Sequence, residues 1–147
     1  MKFSEARQGR VFVVRLEQGE IVHEVLEAFA KDHGIRAAGL LMVGAIDKGS
    51  RLVVGPEDGD VPRVVPLEHA LSKPHEVAAV GTIFPDEGGR PTVHMHLAAG
   101  REGMAAAGCI RRGVKVWLIA EVIIYEMVGT NAKRVVDPAT GFELLTP

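Results

Sequence analysis

An α+β fold with a mostly antiparallel sheet is predicted by three features of this 147-residue chain. One amphipathic segment lies at about residues 20–34. Several short apolar stretches follow it, and turns containing glycine or proline separate them. One helix followed by many short strands is the element order of α+β proteins. We expect residues 1–147 to form a single domain, because a chain of this length buries a sizeable core without disulfides.

The first strand and the helix are predicted from their periodicities. Residues 10–17 carry apolar side chains on both faces of an extended chain, which predicts a mostly buried strand. In the next segment the apolar residues form one helical stripe with i, i+4, i+8 spacing: Ile21, Val22, Val25, Leu26 and Phe29. Gly34 suits the position just past the end of this helix.

The remaining chain reads as strands and turns. The uncharged run 37–46 predicts a buried strand that is kinked or closely approached at Gly39 and Gly44. Turn signals separate the further predicted strands, which are 51–54, 63–70, 76–84, 92–99, 104–110 and 114–126. The tail has turn chemistry at Asp137-Pro138 and a short apolar end.

Charge and composition narrow the class of protein. The formal net charge is −2, so no global positive field attracts nucleic acid or an anionic membrane. Apolar runs are shorter than the roughly 18–20 residues of a membrane span, and the N-terminus is charged where a signal peptide is apolar. The single cysteine excludes an intrachain disulfide. We therefore expect a cytoplasmic protein without a membrane partner.

The stretch PTVHMHLAAGREGMAAAGCIRRG carries the strongest chemical signal. His94 and His96 share one face of a strand, because alternate residues point the same way. A two-residue turn at Arg101-Glu102 would place Ala99 opposite Met104 and His94 opposite Cys109. Two imidazoles and one thiolate are a ligand set that zinc accepts, and three protein ligands leave a fourth position open. The sequence thus predicts metal ligands at His94, His96 and Cys109.

An alternative to the metal site depends on the register. A slip of one residue, or a bulge near Gly108, would move Cys109 to the opposite face. The stretch would then hold two solvated histidines and a buried thiol that behaves as a small apolar residue.

Glu121 is a second candidate because it is the only charge between Lys115 and Glu126 in the most apolar strand. A buried carboxylate needs a partner, so Glu121 is predicted to support a ligand histidine or to act as a general base. A partly solvated position at a subunit interface is the alternative. If the chain turns at Arg112-Gly113, Glu121 falls on the face away from Cys109, whereas a slip of one residue brings it to the same face.

Other motifs are read as structural. The histidines outside the pair are expected to be solvated or simply hydrogen-bonded, with His75 the best exception: His23, His33, His69 and His75. GGRPT, residues 88–92, resembles an AT-hook core, but Gly88 replaces the first arginine and a hairpin turn is predicted. Arg111-Arg112 form too small a basic patch for a nucleic-acid footprint. No catalytic motif is found beyond the open metal site.

Three stretches together resemble the plants-and-prokaryotes-conserved (PPC) domain over about residues 8–145. They are GRVFVVRLEQGEIVHEVLEAFAKDHGIRAAGLLMVGAI, GTIFPDEGGRPTVHMHLAAGREGMAAAGCIRRGVKVWLIAEVIIYE and DPATGFELL. The resemblance implies an α+β fold that assembles as a homotrimer. Plant relatives bind A·T-rich DNA through AT-hooks, and single-domain prokaryotic relatives are often labelled DNA-binding.

The resemblance also bears on the metal site. Some prokaryotic relatives hold a metal through the H-x-H pair and a histidine in a G-G-H segment of the next strand. His94 and His96 match the pair, whereas Ala107-Gly108-Cys109 stands in place of G-G-H. Glu121 matches a glutamate frequent in the metal-bearing relatives.

The function expected from these observations is that of a trimeric, zinc-containing binding, interaction or regulatory module. Its partners would be other copies of itself and a small ligand or a protein. One alternative is DNA binding, which the acidic balance and the absence of an AT-hook oppose. The other is a metal-dependent hydrolase in which zinc activates water and Glu121 is the base.

Overall fold

The computed structural model describes residues 1–60 and 64–147. The described chain contains one helix, α1 (Val22–Asp32), and ten strands. The strands are β1 (Arg7–Glu17), β2 (Ala38–Ile46), β3 (Arg51–Pro56), β4 (Pro66–Ala70), β5 (His75–Pro85), β6 (Pro91–Arg101), β7 (Met104–Cys109), β8 (Val116–Val128), β9 (Lys133–Val136) and β10 (Glu143–Thr146). The predicted strand at 63–70 begins outside the described residues, and β4 covers its second half.

Eight of the strands form one antiparallel sheet with the order β1-β8-β2-β5-β6-β7-β3-β4. The predicted fold class, a mostly antiparallel sheet with one helix, is confirmed. The predicted turn that pairs 104–110 with 114–126 is wrong, because β8 lies between β1 and β2. Val114 and Lys115 bond elsewhere: the Val114 carbonyl accepts from Val22 N–H at 2.9 Å, and the Lys115 carbonyl accepts from Asp47 N–H at 2.7 Å.

Helix α1 covers one face of this sheet and closes the core. Its buried residues Val22, Leu26 and Ala30 belong to the same apolar cluster as Met95 of β6. The helix also holds β6 by a polar contact, since the Glu27 carboxylate accepts a hydrogen bond from Val93 N–H at 2.9 Å. The strand that carries the two histidines is therefore held against the core by helix α1.

The face opposite α1, here called the outer face, is unusually apolar. Cross-strand pairing places one residue from each of six neighbouring strands side by side on this face, and these residues are Val13, Ile123, Leu41, Val80, His96 and Cys109. Val13 is 81 % exposed and Val80 is 62 % exposed. Monomeric proteins rarely leave such a contiguous apolar surface in water.

The tail forms the separate hairpin β9–β10, with Lys133 opposite Thr146 and Val136 opposite Glu143. The Asp137 carboxylate shapes its turn by accepting hydrogen bonds from the N–H and the hydroxyl of Thr140. Arg134 ties the hairpin to the sheet, because its guanidinium donates to the Thr82 hydroxyl at 3.0 Å. Along the described chain, no helix has the length and apolar character that a membrane crossing requires.

Candidate metal centre

The β6–β7 hairpin turns one residue later than the sequence suggests, which shifts the pairing by two residues. Arg101 pairs with Met104, and His96 pairs with Cys109. The turn residues are Glu102 and Gly103, with φ values of 54° and 77°. Left-handed backbone at both central positions is the type I′ geometry that matches the twist of a two-residue hairpin, and glycine suits its second position.

The predicted register, with His94 opposite Cys109 and Ala99 opposite Met104, is therefore wrong. The expected facing of the three side chains is nevertheless correct. Side chains alternate with a period of two, so a register shift of two residues leaves every side chain on its face. Cys109 consequently stands beside His96 instead of His94, on the outer face.

The three side chains form one cluster. The Nε2 atoms of His94 and His96 are 3.1 Å apart. One ligand atom from each of His94, His96 and Cys109 lies within 4.8 Å of the other two. Both histidines are exposed, whereas Cys109 is 3 % exposed. The cluster thus has a buried sulfur at its base and an open side toward solvent.

The donor geometry fits a tetrahedral zinc ion. With Zn–N bonds of ~2.0–2.1 Å, two nitrogens on one zinc lie about 3.3 Å apart, close to the separation of the two imidazoles. A nitrogen and a sulfur on one zinc lie about 3.5 Å apart, so separations within 4.8 Å require the cluster to close by at most about 1.3 Å. Rotation of a single exposed imidazole supplies such a movement.

Two arginines set the electrostatics of the cluster. Arg111 Nε donates to Cys109 Sγ at 3.2 Å. Burial lowers the pKa of His94, and the positive charges of Arg134 and Arg111 lower it further. A lowered pKa keeps the imidazole neutral near pH 7, which is the form that coordinates a metal.

Glu121 does not reach the cluster. It pairs with Arg15 of β1 and Val43 of β2, and its side chain is exposed. Strands β8 and β6 are three strand spacings apart, or about 14 Å at ~4.8 Å per spacing. Of the two facings open to Glu121, the structure has the one shared with Cys109, because continuous cross-strand pairing through Val43 places it on the outer face.

The remaining sequence candidates lie outside the cluster. Nδ1 of His33 is 2.9 Å from the Phe29 carbonyl, and Nδ1 of His75 is 2.8 Å from the Lys73 carbonyl. The AT-hook-like segment is the predicted turn between β5 and β6, in which Arg90 Nε donates to the Asp86 carboxylate at 2.8 Å.

Sequence reasoning missed Arg134, which approaches the cluster from the tail hairpin. Arg134 and His94 line a common cavity together with Arg111, Phe142 and Leu144. No local pattern in the sequence marks it: its strand KRVV has four residues, and Val136 on the same face is 48 % exposed whereas Arg134 is 5 % exposed.

The structure defines a class of small antiparallel α+β proteins with a three-residue His/His/Cys cluster on the outer face of the sheet. The chain belongs to the family of the Plants and Prokaryotes Conserved domain (PCC, the PPC domain), whose model matches residues 3–128. That match includes every strand of the main sheet and all three residues of the cluster.

Solved structures share this fold across nearly the whole chain. A metal-containing protein from Archaeoglobus fulgidus is 26 % identical, with a TM-score of 0.84 and full coverage of both chains. A PPC protein from Pyrococcus horikoshii is 23 % identical, with a TM-score of 0.83 over 100 % of this chain and 98 % of that one. A protein from Ralstonia eutropha JMP134, whose name proposes DNA binding, is 23 % identical, with a TM-score of 0.71 over 92 % and 90 %. The last two likenesses concern the fold alone.

A curated relative is much longer than this chain. The bifunctional protein GlmU of Synechococcus sp. (strain JA-3-3Ab) is 31 % identical over 137 residues, which are 90 % of this chain and 20 % of that protein. The chain thus spans about a fifth of the length of this relative.

Proposed function

We propose that this protein is a zinc-containing, trimeric binding module whose open coordination position receives a small ligand or a partner. The observation that carries the proposal is the convergence of His94, His96 and Cys109 within 4.8 Å on one face of the sheet. Zinc is favoured over harder cations because the set combines borderline imidazoles with a soft thiolate. The thiolate also fits the expected cytoplasmic location, where cysteines stay reduced.

The site supports binding more directly than hydrolysis. When bound, zinc would supply a Lewis-acidic centre with a free position, since the described cluster offers three ligands. A hydrolase would also need a general base within reach of that position. Glu121, the base predicted for that alternative, lies three strand spacings from β6.

Metal analysis of the purified protein tests the site. We expect about one zinc per chain in zinc-replete protein. Variants His96→Ala and Cys109→Ser should retain less than about a fifth of that content, because each removes one of the three ligands found among the described residues. His69→Ala is the matched control, since His69 is an exposed strand histidine outside the cluster. Zinc content that is equally low in the wild type, or equally high in all variants, would refute the site.

The apolar outer face supports self-association. Leu41, Val43 and Val80 lie on neighbouring strands and are 46 %, 54 % and 62 % exposed. Fully burying an exposed side chain of this type is worth about 1.5–3 kcal/mol, and these three are about half exposed, so contact between copies of the chain would gain roughly half of that amount from each. A trimer is the assembly that the family resemblance implies, and the outer face is its proposed interface.

Light scattering coupled to gel filtration tests this assembly. The wild type should elute with three times the 15.8 kDa chain mass. Val80→Lys should shift it toward monomer, because a charge would be buried in the interface. Val65→Lys is the control, as Val65 is 52 % exposed and outside the strands of the outer face. A monomeric wild type would contradict the proposal.

DNA binding has weaker support than metal binding. The net charge is −2, and Arg90 of the AT-hook-like segment is paired with Asp86. A gel shift with A·T-rich duplex at about 50 mM salt is the decisive test, because electrostatic binding is strongest at low salt. We expect no gel shift at micromolar protein. A salt-dependent shift would support DNA binding as a function.

A further inference from the structure

Arg134 is a buried cation with an incomplete set of partners. Only 5 % of the residue is exposed, yet its Nε has no hydrogen-bond partner among the described residues. One amino group donates to the neutral Thr82 hydroxyl. No carboxylate of the described chain lies within salt-bridge distance of it. Leaving a buried guanidinium unpaired is costly, so such an arrangement persists where a ligand completes it.

Arg134 lines a cavity of about 550 Å³ next to the cluster of His94, His96 and Cys109. This volume falls within the range of small-molecule sites. Its charged residues are Arg111, Arg134 and a single carboxylate, Glu143. Burial lowers the pKa of Arg134, the nearby Glu143 raises it and Arg111 lowers it, so the two guanidiniums outnumber the one carboxylate of the lining. The cavity therefore has a positive potential that favours an anion.

The rest of the lining restricts the kind of anion. Phe142 and Leu144 from the tail hairpin and Val93 from β6 present apolar surface beside the arginines. A guanidinium presents parallel N–H donors that match the two oxygens of a carboxylate. A ligand with one anionic head and a short apolar body would satisfy both parts of the lining.

We propose that this cavity binds a small organic acid, with its carboxylate on Arg134 and its apolar body against Phe142 and Leu144. This proposal rests on the proposed function, in which the site binds a ligand. It makes that function more specific by naming the chemical class of the ligand. Arg111 assists from the side of Cys109, to whose sulfur it donates. The bound acid would lie next to His94 and His96, on the open side of the cluster.

Calorimetric titration of the zinc-loaded protein with benzoate, hexanoate and succinate tests the proposal. Benzamide serves as the neutral counterpart of benzoate, and inorganic phosphate as an anion without an apolar body. At least one of the acids should bind with submillimolar Kd, and benzoate at least tenfold more tightly than benzamide. Absence of binding by all three acids at 10 mM would overturn the proposal, and so would tighter binding of phosphate.

Variants assign the interaction to Arg134. Arg134→Met should weaken acid binding at least tenfold, and Arg134→Lys should weaken it as well, because lysine keeps the charge but loses the fork. Lys133→Met is the matched control, since Lys133 is the neighbouring exposed cation on the same strand. Unchanged acid binding in both Arg134 variants would overturn the assignment.

Two further readouts separate this proposal from the metal site and from a structural role. Zinc content should be unchanged in Arg134→Met, so lost acid binding with intact zinc leaves the proposed metal function standing. Missing zinc in the wild type, with acid binding retained, would refute the metal site alone. The ligand-free Arg134→Met variant should melt at a temperature equal to or higher than that of the wild type, because a buried unpaired charge is removed. A clearly lower melting temperature would show that Arg134 serves the fold instead.

Discussion

Gly108 provides a sharp test of how the third cluster residue is held. It immediately precedes Cys109 on β7, next to the β3 strand. A Cβ atom at this position would lie 2.6 Å from the Val53 carbonyl oxygen and 3.0 Å from the Leu52 Cβ. Both obstacles are rigid, since one belongs to the backbone and the other to a fully buried side chain. Gly108→Ala must therefore displace β7 or β3.

The magnitude follows from these distances. Restoring ordinary contact requires a shift of about 0.8 Å, and overpacking of this kind costs about 1–3 kcal/mol. For a domain of this size the unfolding entropy is about 0.3 kcal/mol/K, so the melting temperature should fall by about 3–10 °C. Cys109 would move with its neighbour, and its buried sulfur lacks the freedom to readjust that the two exposed imidazoles have. Zinc content should therefore fall along with stability.

Differential scanning calorimetry and metal analysis, applied to Gly108→Ala and Gly100→Ala, form the assay. Gly100 is the control on the paired strand, because its Cβ would meet nothing closer than a carbonyl at 3.8 Å. Gly100→Ala should leave the melting temperature within about 2 °C, in line with the small effects of Gly→Ala at compatible positions. Equal melting temperatures for the two variants would refute the steric reasoning, and full zinc content in Gly108→Ala would refute its link to the cluster.

Three further predictions concern other parts of the molecule. Glu126 accepts hydrogen bonds from the Arg10 side chain at 2.6 and 2.7 Å, and this pairing lowers its pKa to about 2. Its stabilising contribution is thus complete above the ordinary pKa of 4.5 and disappears as the pH falls toward 2. Glu126→Gln should therefore flatten the dependence of the unfolding free energy on pH in this range, measured by denaturant unfolding. An unchanged pH dependence would contradict the pairing. Gly44→Ala should lower the melting temperature by several degrees in a thermal melt, since φ is 139° and the new Cβ would lie 2.6 Å from Ala120 Cα, whereas an unaltered melt would contradict this geometry. Zinc at one hundred times its Kd should stabilise the wild type by about 2.7 kcal/mol, or about 9 °C, and should not stabilise Cys109→Ser; an equal gain in both would place the metal elsewhere.

The elements of the fold could be predicted from sequence, but their order across the sheet could not. Period-two alternation locates β6, in which Met95 and Leu97 face the core between the exposed His94 and His96, whereas turn residues delimit β5 and β7. The link between β7 and β8 looks like a tight turn in sequence. Its backbone instead bonds to the start of α1 and to the end of β2, which is long-range information that no local pattern contains.

The cluster could be predicted because an even register shift between β6 and β7 leaves each side chain on the same face of the sheet. The wrong turn shifted the register by two residues and still left Cys109 on the same face as the histidines. Arg134 could not be predicted as part of the site. Its strand has four residues, too few for a periodic signal, and the hairpin that delivers it reaches β5 from a distant part of the chain.

The proposed site combines residues from two parts of the chain, the segment that the family shares and the tail hairpin. The family match ends at residue 128, so the three cluster residues lie inside the shared segment, whereas Arg134, Phe142 and Leu144 lie beyond it. Changes in this short hairpin would alter the choice of ligand without disturbing the metal ligands. Exchanging residues 133–146 between relatives should therefore transfer the selectivity for the ligand while the three metal ligands stay the same.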